Sequence, residues 1–539
     1  MSLYSIAMSG VNASSLALST TSKNITNVNT SGYSRQLTNL ASNANGGGVK
    51  VTGVERQYNQ YISNQLNQSN STLAALNANQ NQISQIDSLL GDTTSGLSVM
   101  MQNFFSALQD LSSTPADPAA RQGVLGTADN MTAQFRSMND YLNDLAKSVN
   151  SDVTSEVSQI NTLTSGIADL NKQISLTKAK TGEVPNALMD QRDELVAQLS
   201  THINISVDVQ DTGTYNVSFA NGLSLVAGFT SSNLEATASS ANPTQTAVGY
   251  RDSANNLVEL KDSTITGGAL GGTLQFRNEG LSQAQNKLGQ LGVSLAMAFN
   301  EQSAQGVDLN GDVGGDFFTV GTPKAFSNEK NAGTASFTGT FTDASQLTAD
   351  NYSVTYSAST GYTVTNSTTG KTEGTFAPGT TSFDVGGMTF SVSGAPADGD
   401  KFIIKPFQDA ISDMNTAITD VDKIAAGQAT GSTGSGDNRN AAAFYDLQNS
   451  KVVNGGSTLN QAYASMVTDI GNQSQVVSVK IKTQQGISDQ LTEVQQSTSG
   501  VNLDEEAIDL LKYQQSYQAS AKIIDTATTL IDTILGIKG

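Results

Sequence analysis

The stretch LDEEAIDLLKYQQSYQASAKIIDTATTLIDTIL, residues 503–535, places Leu503, Leu510, Tyr517, Ile524 and Ile531 seven residues apart, backed by Ala507, Gln514, Ala521, Thr528 and Leu535. The same interval stands at the other end of the chain, in Tyr4, Val11, Leu18 and Ile25, with Ala7, Ser14, Thr21 and Val28 three positions behind. At about 3.6 residues per turn, a seven-residue interval holds one stripe to one side of a helix, as in a left-handed coiled-coil seam. Small and polar backing residues make each stripe weak alone. Such helices would pair with each other or with neighbouring copies; two ordinary amphipathic surface helices are the alternative. The same weakness predicts that roughly the first 50 and last 40 residues are mobile in the free monomer, since isolated helices are marginal in water. Asn502 is placed to cap the last helix with Glu505 reaching back in a capping box, while Asp504 and Glu506 oppose the positive end of the dipole.

Between these ends the chain is too long for one core. Gln57 onward shows helical spacing in Ile62, Leu66, Leu73, Leu76, Ile83 and Leu90, ended by Gly91-Asp92. Leu97–Leu111 reads as a shorter helix, and Pro118 suits the first turn of the next. From Ala119 to Lys180 apolar residues keep three- and four-residue spacing without a break, which means a rod or bundle. A further helix is expected from about Asn186 to Leu199. The period becomes two at Ile203–Val209 and Tyr215–Phe219, with Asn221-Gly222 as a turn, and the triple glycine Gly46–Gly48 leads into a short strand at Val49–Val51. Helical spacing resumes at Leu281–Phe299, at Ile411, Met414, Ile418 and Val421, from Asp437 through Leu447, and along Tyr463–Val494. Residues 320–405, rich in Thr, Ser and Gly around short alternating runs, read as a small inserted β domain. Gly427–Gly436 is a linker by composition, and Ser497–Gly500 a hinge.

The predicted fold is therefore multidomain α+β, with a long helical bundle or coiled-coil core formed by the N- and C-terminal portions and with inserted antiparallel β regions. Residues 1–56 with 500–539 form a terminal helical assembly domain. Residues 57–200 with 273–318 and 407–499 form an elongated bundle, 201–272 a β-rich segment on it, and 319–406 the insertion.

Chemistry is sparse. With 28 basic and 48 acidic residues the net charge is -20, which argues against nucleic acid and suits an anionic membrane surface poorly. Cysteine is absent and histidine occurs once, so no thiolate site or His-based triad is expected, and His202 reads as a junction residue. Asp190, Arg192, Asp193 and Glu194 read as an exposed charged helix face. Asp308, Asn310 and Asp312 alternate as in a calcium loop, but glycine stands fourth and Thr319 occupies the twelfth position, where an EF-hand needs a bidentate Glu. No catalytic residue, metal site or cofactor is expected. No run reaches transmembrane length, and the start lacks the basic and apolar regions of a signal peptide.

Two motifs carry a resemblance. Asn24-Ile25-Thr26-Asn27-Val28-Asn29-Thr30-Ser31-Gly32-Tyr33-Ser34-Arg35-Gln36 resembles the N-terminal signature of the axial proteins of the bacterial flagellum, with Asn24, Asn27, Asn29, Gly32, Tyr33, Ser34 and Arg35 as its key positions. Residues 499–506 and 510–519 resemble their C-terminal signature. The Gly-Tyr-Ser-Arg-Gln form is similar to the hook-associated branch, and internal matches lie at 187–193, 306–318 and 436–440. The resemblance implies a structural adaptor joining hook to filament, self-assembling into an axial ring or helical layer. Its implied partners are the flagellar hook protein, a second hook-associated junction protein on the filament side, and a cytoplasmic export chaperone bound at the C-terminal region. It further implies an extracellular place in the flagellum, reached unprocessed through the flagellar export apparatus. The alternatives are a hook or rod component, a secreted surface-binding or adhesive protein and, without a catalytic pattern, an enzyme such as a peptidoglycan hydrolase.

Overall fold

The computed structural model describes residues 3–43, 47–91, 96–219, 222–430 and 434–537. The expected parts played by Gly46, Asp92 and Asn221, and residues 431–433 of the expected linker, lie outside them. Helix α1 (Leu3–Thr26) is followed by an antiparallel ribbon of β1 (Gln36–Ser42) and β2 (Val49–Arg56). The strand expected at Val49–Val51 is the start of β2. Gly47 and Gly48 stand at φ of 83° and 94°, conformations open to glycine at little cost. A side chain at Gly48 would meet the Ser9 hydroxyl at 2.5 Å, and the Val49 N–H donates to Ser9 Oγ at 3.1 Å. The ribbon therefore lies tight on α1.

Four helices come next: α2 (Gln60–Leu90), α3 (Leu97–Ser113), α4 (Pro118–Thr181) and α5 (Asn186–His202). The expected unbroken run is α4, with 64 residues and a length on the order of 95 Å. Asp117 accepts the Ala119 N–H at its start, and Gly182, left-handed at φ 70°, closes its end on the Lys178 carbonyl. Two antiparallel sheets lie on its far half. One contains β3 (Ser206–Val209), β4 (Tyr215–Phe219), β5 (Leu223–Ala227) and β6 (Thr230–Ser231); the other contains β7 (Leu234–Ala238), β8 (Thr246–Arg251) and β9 (Leu257–Glu259). The chain then returns through α6 (Gly268–Phe276), a π turn at Arg277–Leu281 and α7 (Ser282–Ala304).

After the short strands β10 (Gly306–Val307) and β11 (Phe318–Thr319) comes the inserted β region. Its strands are β12 (Lys324–Ser327), β13 (Ser336–Phe341), β14 (Tyr352–Ser357), β15 (Gly361–Asn366), β16 (Thr372–Phe376), β17 (Ser382–Val385), β18 (Met388–Ser393) and β19 (Lys401–Lys405). They form a five-stranded sheet in the order β12-β19-β14-β15-β16 and a three-stranded sheet in the order β13-β18-β17. Phe337, Tyr362, Phe383 and Phe402 fill the space between, the Phe337 and Phe402 rings 4.4 Å apart. This cluster continues onto α7 through Phe407 and Val293.

The helix expected through Ile411–Val421 does not form. Ile411, Met414 and Ile418 are buried, yet the chain there makes turns and the strand β20 (Asn415–Thr416), paired with β11. Arginines supply the reason. Arg136 Nη1 donates to the Met414 carbonyl, and Arg121, itself buried, donates to the carbonyls of Val421 and Ile424 at 2.9 and 3.0 Å. Side chains from α4 thus take carbonyls that a helix would have used. Within the expected linker, β21 (Gly427–Gln428) pairs with β10. The remaining helices are α8 (Arg439–Asp446), α9 (Leu459–Ser499) and α10 (Leu503–Gly536). Thr458 and Gln461 form a capping box on α9.

The packing is nested: α10 lies along α1, and α9 along α2. Around Phe104, Phe105, Phe299, Phe317, Phe318 and Phe444 the bundle has one aromatic core, with Phe299 and Phe444 stacked at 5.4 Å. A second buried cluster joins the far half of α4 and α5 to the sheets of β3–β9.

Candidate functional site

The two sequence motifs meet where α1 ends and α10 begins. Asn24, 1% exposed, uses its whole amide there. Its Nδ2 donates to the Gln36 carbonyl at 2.9 Å and to Glu506 Oε2 at 3.0 Å; its Oδ1 accepts the Tyr33 hydroxyl at 2.8 Å and the Gln36 N–H at 3.0 Å. Arg35 completes the clasp. Its Nε donates to Glu506 Oε1 at 2.7 Å, its Nη1 to Glu505 Oε2 at 2.5 Å, and its N–H to the Ser499 carbonyl at 2.9 Å. Glu506 is itself only 1% exposed. Burial near Asp190 and Glu506 pushes the Tyr33 phenol up to about 12.

A second tier holds this unit to the rod. Arg56, at the end of β2, donates through Nη1 to Asp190 Oδ1 at 2.6 Å and to Asp193 Oδ2 at 2.8 Å on α5. Asn186 Nδ2 donates to the Val54 carbonyl at 3.0 Å. Arg192, fully buried, lies 3.4 Å over the Tyr215 ring and donates to Asn171 Oδ1 and the Gly213 carbonyl. The expected exposed face of α5 is therefore corrected: Asp190 and Arg192 are interior, and Asp193 is nearly so. Their partners are far away in sequence, which local spacing does not register. A cleft of about 1210 Å³ opens beside this joint, between the ribbon, the end of α1 and the start of α5.

The other motif residues have local roles. Asn27 Nδ2 donates to the Lys23 carbonyl at 2.9 Å, at the end of α1. Gly32 stands at φ 75°, where a side chain would meet Glu194. Ser34 is buried, with a hydrogen bond to Asp190, and Asn29 is exposed. Asn502 does cap α10 by accepting the Asp504 N–H at 3.0 Å, but the expected capping box is replaced, because Glu505 turns to Arg35. Asp509 also faces Arg35, at 3.9 Å.

Within the single chain, the buried residues of α1 are small or polar: Ala7, Ala13, Ser14, Ala17, Thr20, Thr21 and Asn24. Gly10 permits the close approach, since a Cβ there would meet Ser520 Oγ at 2.6 Å. Val11, Leu18, Ile25, Leu510 and Ile524 are half-buried, whereas Tyr4, Leu503, Tyr517 and Ile531 are exposed. The outer side of α10 adds exposed Ile508, Leu511, Ile523, Leu530, Ile534 and Leu535, and Ile537 just past its end is exposed too.

Sites resembling chemistry have structural occupants. Lys423 Nζ lies 3.0 Å from Asp308 Oδ2 and 2.9 Å from Asp312 Oδ2, placing an ammonium in the calcium-like loop. His202 Nδ1 pairs with Glu156 at 2.8 Å. Among the described residues no group of three or more His, Cys, Asp or Glu side chains could hold a metal, and no helix is long and apolar enough to cross a membrane.

Flagellar hook-associated protein 1 of Escherichia coli (strain K12) is 43% identical over 558 residues, covering 100% of both chains. The chain belongs to the flagellar hook-associated protein 1 family. The protein of that name in Salmonella typhimurium is 42% identical, again over 100% of both chains, and that of Bacillus subtilis (strain 168) 25% identical over 99% of this one. Family models match the flagellar hook-associated protein FlgK helical domain at 83–318 and the D2-like domain of hook-associated protein 1 at 326–406. The ends match the flagella basal body rod protein at 5–33 and the C-terminal region of the rod FlgEFG proteins at 495–537. The flagellar hook junction protein FlgK from Burkholderia pseudomallei superposes with a TM-score of 0.75 at 29% identity, covering 80% of this chain and 100% of that one. The multidomain α+β fold is thus the fold of this family.

Proposed function

We propose that the chain is the structural adaptor that joins the flagellar hook to the filament. The observation that carries this reading is the clasp: Asn24, Arg35 and Glu506 bring the two family motifs from opposite ends of the chain into one buried network. The clasp sets α1 and α10 together as a unit whose outer face keeps apolar residues in water. Burial of a Leu or Ile side chain is worth roughly 1.5–3 kcal/mol, so that face gains by association. The stripes Tyr4, Val11, Leu18, Ile25 and Leu503, Leu510, Tyr517, Ile524, Ile531 serve as assembly seams between copies, in an axial ring or helical layer.

In this reading the hook protein and a second hook-associated junction protein are the neighbours below and above. The C-terminal region is held by a cytoplasmic export chaperone before passage through the flagellar export apparatus to the cell exterior. The chain acts through surfaces and not through catalysis. Its working units are 1–56 with 500–539, the bundle of 57–200, 273–318 and 407–499, the β-rich 201–272, and the insertion 319–406. A buried cluster of its own in the near half of the bundle and another centred on the insertion support part of that division, while the β-rich segment shares its cluster with α4 and α5. Deleting the gene and imaging the cells tests the function. Intact hooks without filaments, with filament protein shed to the medium, are expected; normal filaments on the deletion strain would refute it.

A further inference from the structure

Away from the clasp, one cleft of about 490 Å³ collects unsatisfied hydrogen-bond donors. It is bordered by α4 (Asp140, Asn150), the turn between β7 and β8 (Asn242, Thr244), the π turn (Arg277) and the end of β19 (Lys405). Asn242 is 2% exposed and spends its Oδ1 on the N–H and hydroxyl of Thr244, while its buried Nδ2 has no partner. Arg277, 5% exposed, donates through Nη1 to the Thr246 carbonyl and through Nη2 to Asp262, while its buried Nε has no partner. Lys405 is half-buried, and its ammonium makes no hydrogen bond or ion pair among the described residues. Burial beside Arg277 pulls its ammonium down to about 8. Leaving a buried donor unmet is costly, and two such donors beside a half-buried ammonium call for an acceptor.

We propose that this cleft binds a small oxyanion, a phosphate-like group or a carboxylate, whose oxygens accept from Asn242 Nδ2, Arg277 Nε and Lys405 Nζ. The nearby carboxylates are mostly engaged: Asp262 with Arg277 and Asn278, Asp144 with Lys147 at 2.8 Å, and Asp409 with Lys324 at 3.4 Å. Asp140 stands at the exposed rim. The π turn fits such a role, since π turns recur at functional sites. A bound anion would bridge the insertion, through Lys405, to the rod, through Arg277, and so fix the angle between them. It would also raise the unfolding temperature by mass action.

The test titrates inorganic phosphate, and in a second arm acetate, into the full-length chain at constant ionic strength, read by calorimetry and thermal unfolding. Saturable one-to-one binding of either anion is expected, phosphate or acetate response distinguishing the two chemistries. Affinity should fall by roughly tenfold or more in Lys405→Met. It should fall at least as far in Asn242→Asp, which keeps the acceptor for Thr244 and reverses the donor. Lys401→Met, removing an exposed lysine from the same strand, should leave affinity unchanged. If Lys405→Met does not fold by circular dichroism, Asn242→Asp decides. No saturable binding of either anion, or equal binding in Asn242→Asp and the wild type, would overturn the site and leave water as the partner of these donors.

Discussion

Glu506→Ala tests the clasp most directly. The change removes the acceptor of two donors at once, Arg35 Nε at 2.7 Å and Asn24 Nδ2 at 3.0 Å. Breaking a fully buried ion pair by deleting one partner costs about 3–5 kcal/mol. Here the arginine side chain is 17% exposed and keeps Glu505, itself 56% exposed, so the cost falls below that range and about 2–3 kcal/mol is expected. Apart from Glu506, only Ala527 is buried on α10, and α10 packs chiefly along α1, so the loss should stay local. Amide exchange in residues 24–36 and 503–513 should then rise roughly thirtyfold or more. The main thermal transition and the protection of α4 should not move. Glu506→Gln, retaining an acceptor without the charge, should fall between. A double-mutant cycle with Arg35→Ala should return a coupling of at least about 1 kcal/mol. Unchanged exchange at the clasp, or loss of protection spreading into α3 and α4, would refute the reasoning.

Other consequences are as specific. Tyr33, held neutral by burial, has its ionisation raised from 10.0 to about 12; its contribution is full below pH 10 and is lost as pH rises through about 12. Comparing the tyrosinate absorbance of wild type and Tyr33→Phe should place the missing phenol near 12, and finding it near 10 would sink the assignment. In the dilute monomer both terminal helices should exchange well ahead of α4 and α9; equal protection would show that they need no neighbours. Joining residues near 322 and 400 with a short Gly/Ser linker should keep a cooperative, though less stable, transition, because the insertion also covers Val293 on α7; loss of cooperativity would mean a shared core. Leu510→Asp and Ile524→Asp should leave the main transition intact and abolish motility with export preserved. Asp509→Ser should cost no more than about 1 kcal/mol, since its contact with Arg35 is long and partly exposed. Normal swimming by exported Leu510→Asp would remove the seam.

Periodicity made the helices and the insertion legible because both depend on which residues leave water. The spacing of α4 and the alternation in Tyr352–Tyr356 are local signals of that kind. The inside of a close helix pair is less legible. Ala7, Ser14 and Thr21 are buried in α1, and Gly10 faces Ser520, because small side chains let two backbones approach. Hydrophobicity instead draws attention to Tyr4 and Leu18, which the single chain leaves exposed or half-buried.

Arginine explains most of what spacing missed. Arg35 reaches Glu506, Arg56 reaches α5, Arg121 reaches Val421, and Arg136 reaches Asn415. Each ties segments far apart in sequence, and each uses a planar fork of donors suited to holding a carboxylate or several carbonyls together. Such ties leave no periodic trace, since the arginine and its acceptors lie too far apart in sequence to fall within one local window. They also answer a need created by the nested chain path, in which early and late segments must pair although the seams between them are small and polar. At α1 and α10 the burial of one Ala and one Glu on the later helix is too little to set register. A charged clasp sets it by geometry, and leaves the apolar outer face of α10 free for a neighbour.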